Sequence, residues 1–212
     1  MPSKGVVQSK PAPDSKPPAS TRDHLIEVGL DLMRRHGYGA TGLQEILQAA
    51  TVPKGSFYHH FGSKEEFAQA VVDRYFTVAA EHAAHVLGNT RQTPLKRLRR
   101  YFEELIKMAG QSAPIQGCLL ANFSLEIASS SALLQRSLSS SFTHWQAAVE
   151  AVLREAVEKG ELASSARTQS LAGFILNSWE GALLRSQADR SDAPLKDFVR
   201  YIFEELLPSQ AS

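Results

Sequence analysis

Cysteine is nearly missing from this chain: Cys118 is the only one in 212 residues, which excludes an internal disulfide and any cysteine-rich metal site. Apolar runs are short. None approaches the roughly eighteen residues needed to cross a bilayer. The N-terminus also lacks an apolar signal core, so the cytoplasm is the expected compartment and no membrane partner is expected. Neither sign of charge dominates, with 23 Lys and Arg against 22 Asp and Glu. No Ser-His-Asp set, paired-carboxylate pattern or phosphate-cradling glycine motif is supported by the spacing. Enzymatic chemistry and a bound cofactor are therefore not expected. Strand-like alternation is absent as well, which leaves an all-α fold, and 43% hydrophobic residues suffice for a core.

What charge there is lies unevenly. Up to Lys64 there are eight Lys or Arg against five Asp or Glu, and the remainder carries fifteen against seventeen. The small basic excess thus belongs to the N-terminal part. Residues 1–20 hold Pro2, Pro11, Pro13, Pro17 and Pro18 with Ser and Lys between them, which reads as a disordered arm. Its basic residues, Lys10 and Lys16 with Arg22 beyond, either only solubilise the chain or reach along DNA.

Helical periodicity begins at Arg22 and is expected to stop near Gly37, with further helices over about 42–49 and 53–60. Thr41-Gly42-Leu43-Gln44 matches a capping box for the second of these. Phe57 and Phe61 stand four apart and share one helical face, while Lys54, Gly55, Tyr58 and His59 fall on the other. One face anchors the helix and the other offers donors to phosphates and base edges. Ser63 with Glu66 forms a second capping box, opening a fourth helix to about Leu87. Two short helices joined by a tight turn make a helix-turn-helix candidate.

The run Val52-Pro53-Lys54-Gly55-Ser56-Phe57-Tyr58-His59-His60-Phe61, followed by Ser63-Lys64-Glu65, resembles the signature of the tetracycline-repressor-like (TetR) family of bacterial transcription regulators, and the likeness covers about Thr21 to Phe67. The resemblance implies a helix-turn-helix domain over 21–67 and a helical sensing and dimerisation domain over 68–212, about nine helices in all, with the fourth connecting the two. It also implies a homodimer on a palindromic double-stranded operator, released by a small-molecule or electrophile effector. Thr41, Tyr58, His59 and Lys64 are then expected on the DNA backbone, and Lys54 and Ser56, helped by the missing side chain of Gly55, at the bases. Many relatives carry glycine where this chain has Thr51. Threonine avoids positive φ, so the turn is expected to take a somewhat different backbone.

Beyond the fourth helix the periodicity predicts helices over about 94–108, 118–129, 132–159, 168–187 and 194–207. The Pro94-Leu95-Lys96 and Pro194-Leu195-Lys196 starts are alike, yet nothing between them repeats. Helix 168–187 is apolar nearly all round, more than one chain's surface helix needs, which points to an interface. Cys118 follows Gly117 at an expected helix N-terminus, where the dipole would lower its pKa. The segment Gly117 to Glu126 is similar to the branch of the family exemplified by repressors of the N-ethylmaleimide reductase type, in which such a cysteine senses electrophiles; the plain alternative is a small side chain packed in the core. Trp145, Phe142, Phe174, Asn177 and Trp179 are candidates to line a cavity, Asn177 and Trp179 being the two singled out. His82 and His85 lack the acidic or cysteine partner that a metal site would require. A rival from another class is a helical ligand-binding protein or enzyme that keeps the fold and has lost DNA binding.

Overall fold

The computed structural model describes residues 20–111 and 115–207, and among these every regular element is helical. The proline-rich arm, except for Ser20, lies outside the described residues.

α1 (Thr21–Ala40) opens on Ser20, whose hydroxyl accepts the Asp23 N–H at 3.2 Å. It does not stop at Gly37 but bends there, with φ at +83°, a conformation that costs glycine nothing and other residues strain. Arg22 is not part of a loose arm: its guanidinium lies over the Phe61 ring, 5.2 Å from the centroid. α2 (Leu43–Ala50) buries Ile46, Leu47 and Ala50.

The capping box expected at Thr41 does not form. Gly42 is the N-cap residue, and the fully buried Thr41 hydroxyl donates instead to the Gly37 carbonyl at 2.7 Å, satisfying a group that the kink sets free.

Thr51 closes α2 in the left-handed region, φ 56° and ψ 40°. The expected detour of the turn is therefore not taken; a threonine is held in the glycine-type conformation because the Thr51 and Val52 N–H groups bond back to Gln48 and Leu47, ending the helix.

α3 (Lys54–His60) follows at once and is pinned by Phe57, which is buried with Phe61 and Phe67 in a three-ring cluster at centroid distances of 5.0–5.4 Å. Burying a phenylalanine side chain contributes roughly 1.5–3 kcal/mol, enough to hold a seven-residue helix that would not form alone. α4 (Lys64–Leu87) is capped by the Ser63 hydroxyl, which accepts the Glu66 N–H at 3.1 Å. It packs on α1 so closely at Gly29 that a Cβ there would collide with the Phe67 ring.

The long α4 also packs on α5 (Pro94–Gly110) and α7 (Ala132–Glu158). α6 (Leu119–Glu126) lies against α1 and α7. α8 (Thr168–Asp189) packs on α7 and α9, and α9 (Ala193–Arg200) runs into a wider π turn over Tyr201–Leu206. Phe102, Trp179 and Phe198 meet edge to face or tilted at 5.0–5.5 Å in the centre of this bundle. Among the described residues no helix is long and apolar enough to cross a membrane.

Candidate nucleic-acid interface and ligand cavity

The helix-turn-helix places two sets of side chains in opposite directions. Phe57 and Phe61 point into the core, whereas Lys54, Gly55, Tyr58 and His59 lie on the exposed side of α3 and Ser56 is half-buried at its edge. Tyr58, a large aromatic, is 51% exposed with the Lys54 ammonium 5.9 Å from its ring centroid. A Cβ on Gly55 would meet nothing within 4 Å, so the space above it is open to whatever approaches. Such a cation-, hydroxyl- and imidazole-bearing face on a short, firmly anchored helix suits a groove with phosphate walls.

Two of the residues expected there are placed otherwise. Thr41 is fully buried, so its hydroxyl has no access to a phosphate. Lys64 turns inward: Nζ donates to the Tyr38 carbonyl at 2.7 Å and sits 4.2 Å from the centroid of the Tyr38 ring, and partial burial lowers its pKa. Its side chain joins the start of α4 to the end of α1, a role that spacing alone does not reveal.

Farther down, a cavity of about 540 Å³ opens between α4, α5, α7 and α8, with the Cys118 end of α6 and Arg34 of α1 in its wall. Tyr75, Tyr101, Trp145 and Trp179 give it an aromatic lining. A second cavity of about 420 Å³ lies between α6, α7 and α8, lined by Phe142, Asn177, Glu180 and Leu184 among others. Asn177 and Trp179 do not share a cavity. Two residues apart on a helix, they point some 200° from each other, so Trp179 belongs to the larger cavity and Asn177 to the smaller. Phe174 lines neither.

Cys118 lies on the wall common to both cavities. It is the N-cap residue of α6, as anticipated. Burial, and then the neighbouring Glu180 carboxyl, raise its pKa strongly and outweigh the α6 amides that pull it down. Its Sγ stands 3.9 Å from the Tyr75 hydroxyl. Glu180 is itself pushed up to about 7 by burial, and its Oε1 atom has no hydrogen-bond partner among the described residues.

Glu180, Arg34 and Arg97 are cavity residues that no sequence motif marks. Arg97 had a signal: with Pro94, Leu98, Tyr101 and Phe102 it occupies the i, i+3, i+4, i+7, i+8 stripe that α5 buries. It is 2% exposed and pairs with Glu155, which also takes Lys159 at 2.7 Å. His82 stands 3.6 Å from Glu104 across α4 and α5. Among the described residues no group of three His, Cys, Asp or Glu side chains is arranged to hold a metal ion.

Comparison with known sequences is decisive. The pattern of "Bacterial regulatory proteins, tetR family" matches residues 25–71, and that of "Tetracyclin repressor-like, C-terminal domain" matches 94–202, more than half of the chain. The chain belongs to the TetR family.

It is 36% identical over 188 residues to the HTH-type transcriptional repressor DhaR of Mycobacterium sp. (strain GP1), covering 89% of this chain and 93% of that one. It is 30% identical to the repressor NemR of Escherichia coli K12, over 86% of this chain and 92% of that. Among solved structures, the reduced form of E. coli NemR superposes with a TM-score of 0.84 at 28% identity, over 91% of this chain and 99% of that one. A regulatory protein TetR from Rhodobacter sphaeroides superposes with 0.80 at 32% identity, over 85% and 95%. As a TetR-family member, this protein is a helix-turn-helix transcriptional regulator, with α2 and α3 as the two helices of that motif.

Proposed function

We propose that this TetR-family protein is a cytoplasmic homodimer that holds a two-fold symmetric operator through α3 and releases it when a small molecule occupies the 540 Å³ cavity. The observation that carries the reading is the pairing of an exposed, donor-bearing face on a core-anchored α3 with a cavity whose walls include α1 and α4, the helices on which α3 and its turn are built.

Residues 21–67 act as the DNA-binding head and 68–212 as the sensing and dimerising body. Lys54 and Ser56 approach base edges, while Tyr58, His59 and the free amides at the start of α4 hold phosphates. Phe174 and Leu184, 55% and 60% exposed on α8, give the dimer an apolar seam. Filling the cavity would tilt α4 and alter the separation of the two recognition helices, so that both no longer enter major grooves about 34 Å apart. A gel shift with the DNA flanking its own gene tests the core of this: salt-sensitive, specific binding supports it, and no binding to any duplex favours a ligand-binding protein that has left DNA behind.

The buried, hard-to-ionise Cys118 favours reversible capture over thiol chemistry. Likeness to NemR, solved in a form described as reduced, supports the second reading, in which an electrophile alkylates Cys118. N-ethylmaleimide separates the two. Fast labelling of Cys118 with loss of operator binding, absent in Cys118→Ser, supports the electrophile sensor; slow labelling with unaltered binding supports the reversible one.

A further inference from the structure

The larger cavity carries more cationic than anionic side chains on its wall. Its lining holds two guanidinium groups, Arg34 and Arg97, one carboxylate, Glu155, and the His144 imidazole, with the Glu180 carboxyl behind Tyr75 and Tyr101. Glu155 is already engaged by Arg97 and Lys159. Arg97 is almost wholly buried, yet its Nε–H has no partner among the described residues, and the buried indole Nε1–H of Trp145 has only the Tyr101 hydroxyl near it, outside good hydrogen-bond geometry. Buried donors of this kind are rare in folded proteins because water's hydrogen bonds have been given up for nothing, and each is relieved by an acceptor brought in by a ligand. Arg34 reaches the cavity from α1, close enough to Tyr75 for its charge to be felt there, and makes no ion pair among the described residues. Between these polar points the wall is apolar and aromatic.

Resting on the reading of this cavity as the effector site, the geometry points to an amphipathic organic acid as its occupant, with the carboxylate on Arg34, the apolar or aromatic body against Tyr101 and Trp179, and a second oxygen accepting from Trp145 or Arg97. A cationic molecule would meet two guanidinium groups, and a purely apolar one would bury the orphan donors without relieving them. The volume lies within the range that encloses a drug-sized molecule. Arg34 also sits three residues before the Gly37 kink, so a carboxylate bound to it acts directly on the helix that carries α2 and α3.

The test uses the full-length protein and two matched pairs of probes, 4-phenylbutanoate with 4-phenylbutanamide and decanoate with decan-1-ol. Binding is followed by tryptophan fluorescence, since both tryptophans of the chain line the cavity. In the wild type each acid is expected to bind about threefold more tightly than its neutral partner, the effect of one ion pair to the solvent-exposed Arg34 guanidinium at the cavity rim. Arg34→Gln should abolish that preference and leave the neutral probes unchanged, while Arg34→Lys keeps part of it. Raising the salt concentration on the wild type should narrow the gap without any substitution.

Equal binding of acid and neutral partner, a preference that survives in Arg34→Gln, or no binding by any of the four probes overturns the inference. Duplex affinity measured alongside keeps the two proposals apart. An Arg34-dependent acid preference with no operator release refutes the effector role of the cavity alone, whereas release by neutral ligands as readily as by acids refutes the acid preference alone.

Discussion

Glu126 Oε2 accepts the Gly39 N–H at 2.7 Å, tying the last residue of α6 to the end of α1 just past its kink. The same carboxylate lies against Gly37, where any Cβ would strike it. Tyr38, between the two glycines, meets Phe123 of α6 edge to face at 5.7 Å. α6 runs from its N-cap Cys118 on the cavity wall to this contact, so it spans the distance between the cavity and the DNA-binding end.

Glu126→Ala removes the only side-chain acceptor found for the Gly39 N–H among the described residues. Amide exchange at Gly39 is expected to accelerate, and unfolding to become easier by about 1 kcal/mol, as for one partly exposed hydrogen bond to a charged group. Exchange measured by NMR decides it: an unchanged Gly39 rate would show that α6 does not restrain α1.

Thr51 is β-branched and sits at φ 56°. Thr51→Gly should therefore stabilise the protein by about 1 kcal/mol, against the small entropic cost of a glycine in the unfolded chain. A thermal melt that moves down instead of up would mean that the threonine methyl or hydroxyl supplies more than the strain takes.

On α3, Lys54→Ala and Tyr58→Ala should leave the circular dichroism unchanged and weaken duplex binding, Lys54→Ala by roughly 1–3 kcal/mol on the specific site. Lys64→Ala should behave differently, lowering the melting temperature, because its ammonium holds the Tyr38 carbonyl. Gly55→Ala has room to fold, so any loss of DNA affinity in that variant reports crowding at the groove. If Lys54→Ala and Tyr58→Ala bind like the wild type, α3 does not contact DNA as assigned.

Glu180 provides a pH signature. Its folded pKa is raised to about 7 by burial, above that of an unfolded glutamate, so the folded state retains a proton that the unfolded state releases. The stability this gives is full below the unfolded pKa and is lost as pH rises through about 7. Urea unfolding at pH 5 and pH 8 should therefore show Glu180→Gln gaining on the wild type at the higher pH, by at most about 3 kcal/mol. An equal difference at both pH values would place the carboxyl in solvent.

The α8 seam is tested by Phe174→Glu and Leu184→Glu. Because both side chains are more than half exposed in the single chain, the variants should remain folded and soluble, yet light scattering should give the mass of one chain where the wild type gives two. A wild type that is monomeric at micromolar concentration would dispose of the dimer.

Local chemistry in the sequence was enough to determine the helices and the anchoring of α3. Phe57 and Phe61 share a face because they are four apart, Ser63 caps because Glu66 offers its N–H three residues later, and Pro94 starts a helix because it needs no donor there. Each of these follows from neighbours within one helical turn. Only the tertiary structure decided the rest. Thr41 looked like a cap by spacing, but the kink at Gly37 set free a carbonyl that took its hydroxyl. Lys64 looked like a phosphate ligand, but the end of α1 stood within reach of its ammonium. Cys118 held the helix N-terminus expected of it, but burial among the packed helices, and then the Glu180 carboxyl of α8, raise its pKa. The helix dipole is a local term worth about a kilocalorie, whereas desolvation depends on every element packed around the atom, and in a buried site the second is larger.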